Sequence, residues 1–175
     1  MKVTNEKVLM IRQATKTDAQ AFRKLRLEAL NNHPEAFASD YQAELNKSPE
    51  DWEKWVQGDD GNNAIIFLAY VDNQLAGMAG VFRGSFSKTQ HNGTIWGVYV
   101  SHVYQRQGVG SQLIQSCIEW AQAREIDLLK LAVVNTNIAA IRFYADCQFQ
   151  IYGIEPKAIH YNDRYYDELL MVREL

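Results

Sequence analysis

Cysteine is scarce in this chain: two in 175 residues, with no C-x-x-C pair. That excludes a disulfide framework and a zinc knuckle. Cys117 and Cys147 read instead as reduced residues of helices, a cysteine usage that fits a cytoplasmic protein. Histidine is sparse too, at four residues, and no His, Cys, Asp and Glu cluster has metal-ligand spacing, so no metal is expected. Three prolines and no low-complexity tract leave no linker, and residues 1–175 read as a single domain. No apolar run approaches the ~20 residues of a membrane span, so no membrane is expected as a partner. The first ten residues carry lysines without a long apolar stretch and do not read as a signal peptide. Positive charge is not in excess: 18 Lys and Arg face 21 Asp and Glu, a net charge of −3. Nucleic acid is therefore not the expected partner, because phosphate neutralisation needs clustered basic residues.

What the chain does have is apolar content, 47% hydrophobic residues, arranged with two periods. Alternating or near-continuous apolar runs predict strands over 8–14, 64–71, 75–86, 94–100, 128–134, 149–154 and 165–172. Helical spacing predicts a first helix after Thr17–Gln20, read as a capping box, and a helix from Pro49 capped by Ser48. Two more helices are expected over 109–124 and 137–147, with a shorter polar helix or ordered loop over 33–45. Asp72-Asn73-Gln74 reads as a hairpin turn, and residues 58–63 as a polar turn. The order β-α-α-α-β-β-β-α-β-α-β-β implies an α/β layered fold with a mixed sheet.

The most specific stretch is Val98-Tyr99-Val100-Ser101-His102-Val103-Tyr104-Gln105-Arg106-Gln107-Gly108-Val109-Gly110-Ser111. An apolar strand enters a short basic turn that opens a helix. Helix-first amides lack intrahelical partners and carry partial positive charge, so this turn suits a phosphate. Gly108 and Gly110 keep side chains away from those amides, and Arg106 adds a planar donor fork. A P-loop is excluded because no Lys precedes Ser111. A dinucleotide fingerprint is excluded because Leu113 stands where a third glycine is needed.

Gln105-x-x-Gly108-x-Gly110 resembles the Q/R-x-x-G-x-G/A signature of the GNAT acetyltransferase superfamily, which holds the pyrophosphate of acetyl-coenzyme A. A second segment, from Leu131 to Phe149, resembles that superfamily's strand followed by N-x-x-A-x-x-x-Y-x-x-x-G-F, matched by Asn137, Ala140, Tyr144 and Phe149. Gln148 replaces the usual glycine, so this turn is expected to be built differently or to carry strain.

The resemblance implies a mixed, mostly antiparallel sheet whose central parallel pair splays to hold acetyl-CoA, with helices on both faces. It implies an N-acetyltransferase acting by direct attack in a ternary complex, with acetyl-CoA as acyl donor. Val98, Tyr99 and Val100 would offer backbone groups to the pantetheine arm. Gln105, Arg106, Gln107, Gly108, Val109, Gly110 and Ser111 would hold the phosphates. Asn137 would bond the arm, or serve as a helix N-cap. Tyr144 would donate a proton to the leaving thiolate, or be a core aromatic. The base is open. Thr94 and Ala132 stand where many relatives carry Glu, which leaves Glu35, Asp40, Tyr99, Glu155 or a water chain.

The acceptor reads as a small-molecule amine, which a mildly acidic protein tolerates and which a long C-terminal region could enclose. The alternatives are a protein N-terminal or lysine acetyltransferase, and a non-catalytic acyl-CoA-binding or sensing module. Tyr152, His160, Tyr161, Tyr165 and Tyr166 could line an amine pocket or form the edge of a homodimer.

Overall fold

A computed structural model describes residues 8–58 and 62–175. The N-terminal segment before Val8 and the centre of the expected turn at 58–63 lie outside the described residues. The strands are β1 (Leu9–Gln13), β2 (Ala64–Val71), β3 (Gln74–Arg83), β4 (Asn92–Val100), β5 (Leu128–Val134), β6 (Gln150–Tyr161) and β7 (Arg164–Glu174). The helices are α1 (Ala19–Asn32), α2 (Tyr41–Leu45), α3 (Pro49–Gln57), α4 (Val109–Gln122) and α5 (Ile138–Asp146). One seven-stranded sheet runs in the order β1-β2-β3-β4-β5-β7-β6. Every neighbouring pair is antiparallel except β4 and β5. The expected α/β fold, with its single parallel pair, is the fold found.

Two cores sandwich the sheet. On one face Leu113, Ile114, Cys117 and Ile118 of α4 pack with Val81, Ile95, Leu129 and Met171. On the other, Phe22, Leu25 and Ala29 of α1 and Trp52 and Val56 of α3 cover Ile66, Leu68, Met78 and Tyr99. A buried side chain of this size contributes roughly 1.5–3 kcal/mol, so either layer is ample to hold its helix. The helix stripes are the 3.6-period pattern of the sequence made physical.

Several local expectations are corrected. The chain enters α1 through Thr15 and Asp18, not through Thr17 and Gln20. The Asp18 carboxylate accepts the Thr15 amide at 2.8 Å and caps a single 3-10 turn ahead of the helix. β3 stops at Arg83, because Gly84 lies against the Thr89 backbone and the chain turns through a 3-10 segment, Ser87–Thr89. β6 does not end at Ile154. It continues to Tyr161 through an irregularity between Glu155 and Ile159, where Pro156 has no amide to donate and Lys157 takes φ +54°. The α3 start is as expected: the Ser48 hydroxyl accepts the Asp51 amide at 3.1 Å, with Pro49 at the first helical position.

Candidate functional site

The β4–β5 ladder holds for three pairs only, Asn92 with Leu128, Gly93 with Leu129 and Thr94 with Lys130. Beyond them the strands part, and a cleft of about 560 Å³ opens between residues 95–100 of β4 and 131–134 of β5. A bulge in β4 helps to open it. Between Trp96 and Tyr99, β4 spends one residue more than β3 does opposite, and Gly97 takes φ +63°, a conformation that favours glycine.

One end of the cleft is the turn before α4. Gln105, Arg106, Gly108, Gly110 and Ser111 line it; Gln107 and Val109 do not. The Gln107 side chain donates to the Val103 carbonyl at 2.8 Å, and Val109, the first residue of α4, is buried in the core. Arg106 and Gly108 both have positive φ, at +59° and +80°, which curls the turn into a concave run of backbone amides. No side chain caps α4, so its first amides are free for an anion.

The two glycines, both lining the cleft, are required for different local reasons. A Cβ at Gly108 would meet nothing within 4 Å, so its φ is what demands glycine. A Cβ at Gly110 would come within 3.2 Å of the Phe143 ring, so this glycine lets α4 approach α5.

The other wall is α5. The Asn137 carboxamide oxygen accepts the Ala140 amide at 3.1 Å, so Asn137 is the N-cap, and its NH₂ end remains for other partners. Tyr144 lines the cleft while nearly buried, with Phe143 and Phe149 rings 5.2 and 6.1 Å away. Burial pushes its phenol well above the ordinary tyrosine range. It therefore stays protonated, the form that can donate. Gln148, at the end of this helix, has φ +68°; the turn keeps the glycine conformation without the glycine.

On the opposite side of the cleft stand His33, Phe37, Trp96 and Tyr99. Trp96 stacks on Trp55 at 5.6 Å, and a Cβ at Gly80 would overlap its indole. Phe37 lies under the Arg26 guanidinium, which also pairs with Glu44 at 3.2 Å and bonds Ser39 at 2.9 Å. This buried ion pair anchors the segment after α1, and sequence reasoning missed it. The available signal was Arg26 on the apolar face of α1, four residues from both Phe22 and Leu30.

Of the open base candidates only Tyr99 lines the cleft. Asp40 is engaged as the α2 cap, accepting the Ala43 amide at 2.9 Å. Glu155 is exposed on β6 opposite Glu168, whose carboxyl burial and then Glu155 push upward. Glu35 sits in a short 3-10 turn, Pro34–Ala36, outside the lining. The C-terminal aromatics also lie outside it. Tyr152, Tyr161 and Tyr165 are exposed on the β6–β7 hairpin, and His160 stacks on Tyr165 at 4.5 Å.

The family model described as the Acetyltransferase (GNAT) family matches residues 24–149, which includes both β4 and the α4 and α5 termini. The chain belongs to the GNAT acetyltransferase family. It is 27% identical over 103 residues to a streptothricin acetyltransferase of Escherichia coli, covering 58% of this chain and 56% of that protein. The chain thus spans little more than half the length of that relative.

A GNAT-family acetyltransferase from Streptococcus pneumoniae superposes with a TM-score of 0.84 at 26% identity, covering 96% of this chain and 99% of that one. The yncA protein of Salmonella typhimurium, solved with its cofactor acetyl-CoA, shares the fold with a TM-score of 0.83 at 20% identity over 96% of this chain and 94% of that one. Among the described residues no helix is long and apolar enough to cross a membrane, and no group of three or more His, Cys, Asp and Glu could hold a metal ion.

Proposed function

We propose that this GNAT protein is an acetyl-CoA-dependent N-acetyltransferase that acetylates the primary amine of a small molecule by direct attack in a ternary complex. The observation that carries the reading is one continuous cleft. It runs from the free amides at the start of α4, between unpaired edges of β4 and β5, to a protonated tyrosine.

The residues present suit the acyl donor. Arg106, Gly108, Gly110 and Ser111 would face its phosphates. Val98 would offer backbone groups to the amide-bearing arm, much as a neighbouring strand would, while Tyr99, paired with Met78, turns its backbone toward β3. Val100 is less free, because its carbonyl already accepts from Gln105. Asn137 would use its NH₂ end. When bound, the donor supplies an acetyl thioester. A backbone amide of β4 near Val100 would stabilise negative charge on the thioester oxygen. Tyr144 would give its proton to the departing sulfur.

A small-molecule acceptor is supported by the similarity to an enzyme named for streptothricin, and by the aromatic wall of Phe37, Trp96 and Tyr99, which suits a cationic amine. The two free cysteines support a cytoplasmic setting.

The test is coenzyme A thiol release from acetyl-CoA across polyamines, amino acids, aminoglycosides, streptothricin and peptide N-termini. Turnover with a small amine supports the reading. Turnover with peptides alone moves the acceptor to protein N-termini. Silence from folded protein that binds acetyl-CoA favours a sensing module.

A further inference from the structure

Behind the cleft wall, the Tyr99 hydroxyl donates to the Glu28 carboxylate at 3.0 Å and accepts from the Asn32 amide at 3.3 Å. Glu28 and Asn32 are four residues apart on α1, so both reach the same phenol from one helix face. Tyr99 itself is almost fully buried, yet lines the cleft on the side of Phe37 and Trp96. A phenol oxygen has one proton and two lone pairs. Glu28 takes the proton and Asn32 one lone pair, which leaves one lone pair without a partner among the described residues.

We infer that Tyr99 and Glu28 form the proton exit for the acceptor ammonium: Tyr99 is the catalytic residue and Glu28 acts through it. The inference rests on the acetyl-transfer reading above. It goes beyond that reading by assigning a base where the strand positions Thr94 and Ala132 offer none.

The protons balance. The acceptor arrives as an ammonium with three N–H bonds. One proton passes to the Tyr99 oxygen as the Tyr99 proton passes to Glu28, and from there to solvent. The neutral nitrogen attacks the thioester carbonyl carbon, forming the C–N bond. The C–S bond breaks with its electron pair on sulfur. The second proton replaces the one that Tyr144 gives to sulfur, and the third stays on the amide. One proton is released per turnover.

Glu28 is the charged group acting on the Tyr99 phenol, and burial and Glu28 together hold that phenol above its ordinary range, while Asn32 opposes them. His33 is a further titratable neighbour, its ring centroid 6.2 Å from that of Tyr99 and also lining the cleft.

The experiment uses the full chain and its Glu28→Gln, Tyr99→Phe and His33→Gln variants, with acetyl-CoA and the panel amine that turns over fastest. Glu28→Gln and Tyr99→Phe should lower kcat/KM for the amine by about 10²-fold below the pKa of its ammonium. The deficit should shrink as pH rises past that pKa, where the amine arrives neutral. The acetyl-CoA dissociation constant should stay within about twofold.

A loss that is uniform in pH would overturn the relay and leave Glu28 a packing residue. A pH-dependent loss in His33→Gln alone would move the base to His33 and overturn it equally. An activity-free readout accompanies these. Phenol ionisation of the apo protein followed by ultraviolet absorbance, with Tyr99→Phe to identify the Tyr99 component, should shift to lower pH in Glu28→Gln. No shift means that Tyr99 does not donate to Glu28, and the relay fails. Wild-type silence with every amine would defeat the acetyl-transfer reading and the relay with it. In that case the phenol titration still reports separately whether the Tyr99–Glu28 contact exists.

Discussion

The Gln105 carboxamide donates to the Val100 carbonyl at 3.0 Å, tying the turn before α4 to the end of β4. A single such bond contributes about 0.5–1.5 kcal/mol net. Gln105→Ala should therefore raise KM for acetyl-CoA by about 2- to 10-fold, with kcat little changed. Initial-rate kinetics against acetyl-CoA check this. A fall in kcat at constant KM would show that the tether serves the chemical step instead.

Tyr144 is nearly buried and its phenol is held protonated. If it is the proton donor, Tyr144→Phe should lower kcat by about 10²-fold, while acetyl-CoA binding measured by calorimetry changes by about twofold at most. Equal losses in both would reduce Tyr144 to a packing role between Phe143 and Phe149.

Asp18 accepts from both terminal nitrogens of Arg12 at 2.7 Å, from the Thr15 amide and hydroxyl at 2.8 Å, and from the Tyr70 hydroxyl at 3.0 Å. The Arg12 bonds, with those from Thr15 and Tyr70, hold its carboxyl far below the usual range despite burial. The sign follows from linkage. A depressed folded pKa stabilises the protein above the unfolded value, roughly 3.9, and the contribution is lost as pH falls below it. Asp18→Asn should cost about 2 kcal/mol at pH 7 and flatten the decline in stability from about pH 4.5 downward, through the whole acid range below the unfolded value. Urea unfolding across that window tests it; parallel curves for the two proteins would contradict it.

Gln148 holds φ +68° where the family pattern has glycine. A left-handed conformation costs a side-chain-bearing residue roughly 1–2 kcal/mol, of which glycine's greater freedom in the unfolded chain cancels part. Gln148→Gly should stabilise the protein by about 0.5–1 kcal/mol, read as a higher urea midpoint at constant slope. A lower midpoint would mean that the Gln148 side chain makes a compensating contact.

That turn was readable in the sequence because a motif position fixes a backbone conformation whatever residue fills it. The bounds of β2 and β5 were readable for a similar reason: near-continuous apolar runs end at polar residues, and the structure keeps Ala64–Val71 and Leu128–Val134 as expected. The entry to α1 was not, because Asp18 serves the local cap, the Arg12 pair and the Tyr70 hydroxyl, and the last partner, 52 residues away, is joined to it only by the fold. The expected strand over 149–154 stops short, because in the sheet β6 continues past Pro156 on the outer edge, where a missing amide costs little. Glu28 was invisible as a partner of Tyr99. The two are 71 residues apart, and what joins them is how α1 packs across β4, which no local pattern encodes.

The three-rung ladder between β4 and β5 has a structural consequence of its own. A sheet normally has two bare margins, both at its outer rims, where stray strands can add and aggregation can begin. This one has a second pair on the inside, facing each other across the cleft, with the α4 start and α5 on one side and the segment after α1 on the other. Those inward margins cannot recruit another protein's flat sheet. A thin chain bearing amides, threaded lengthwise, could use them, and by bridging them it would suture the β1–β4 leaf to the β5–β7 leaf.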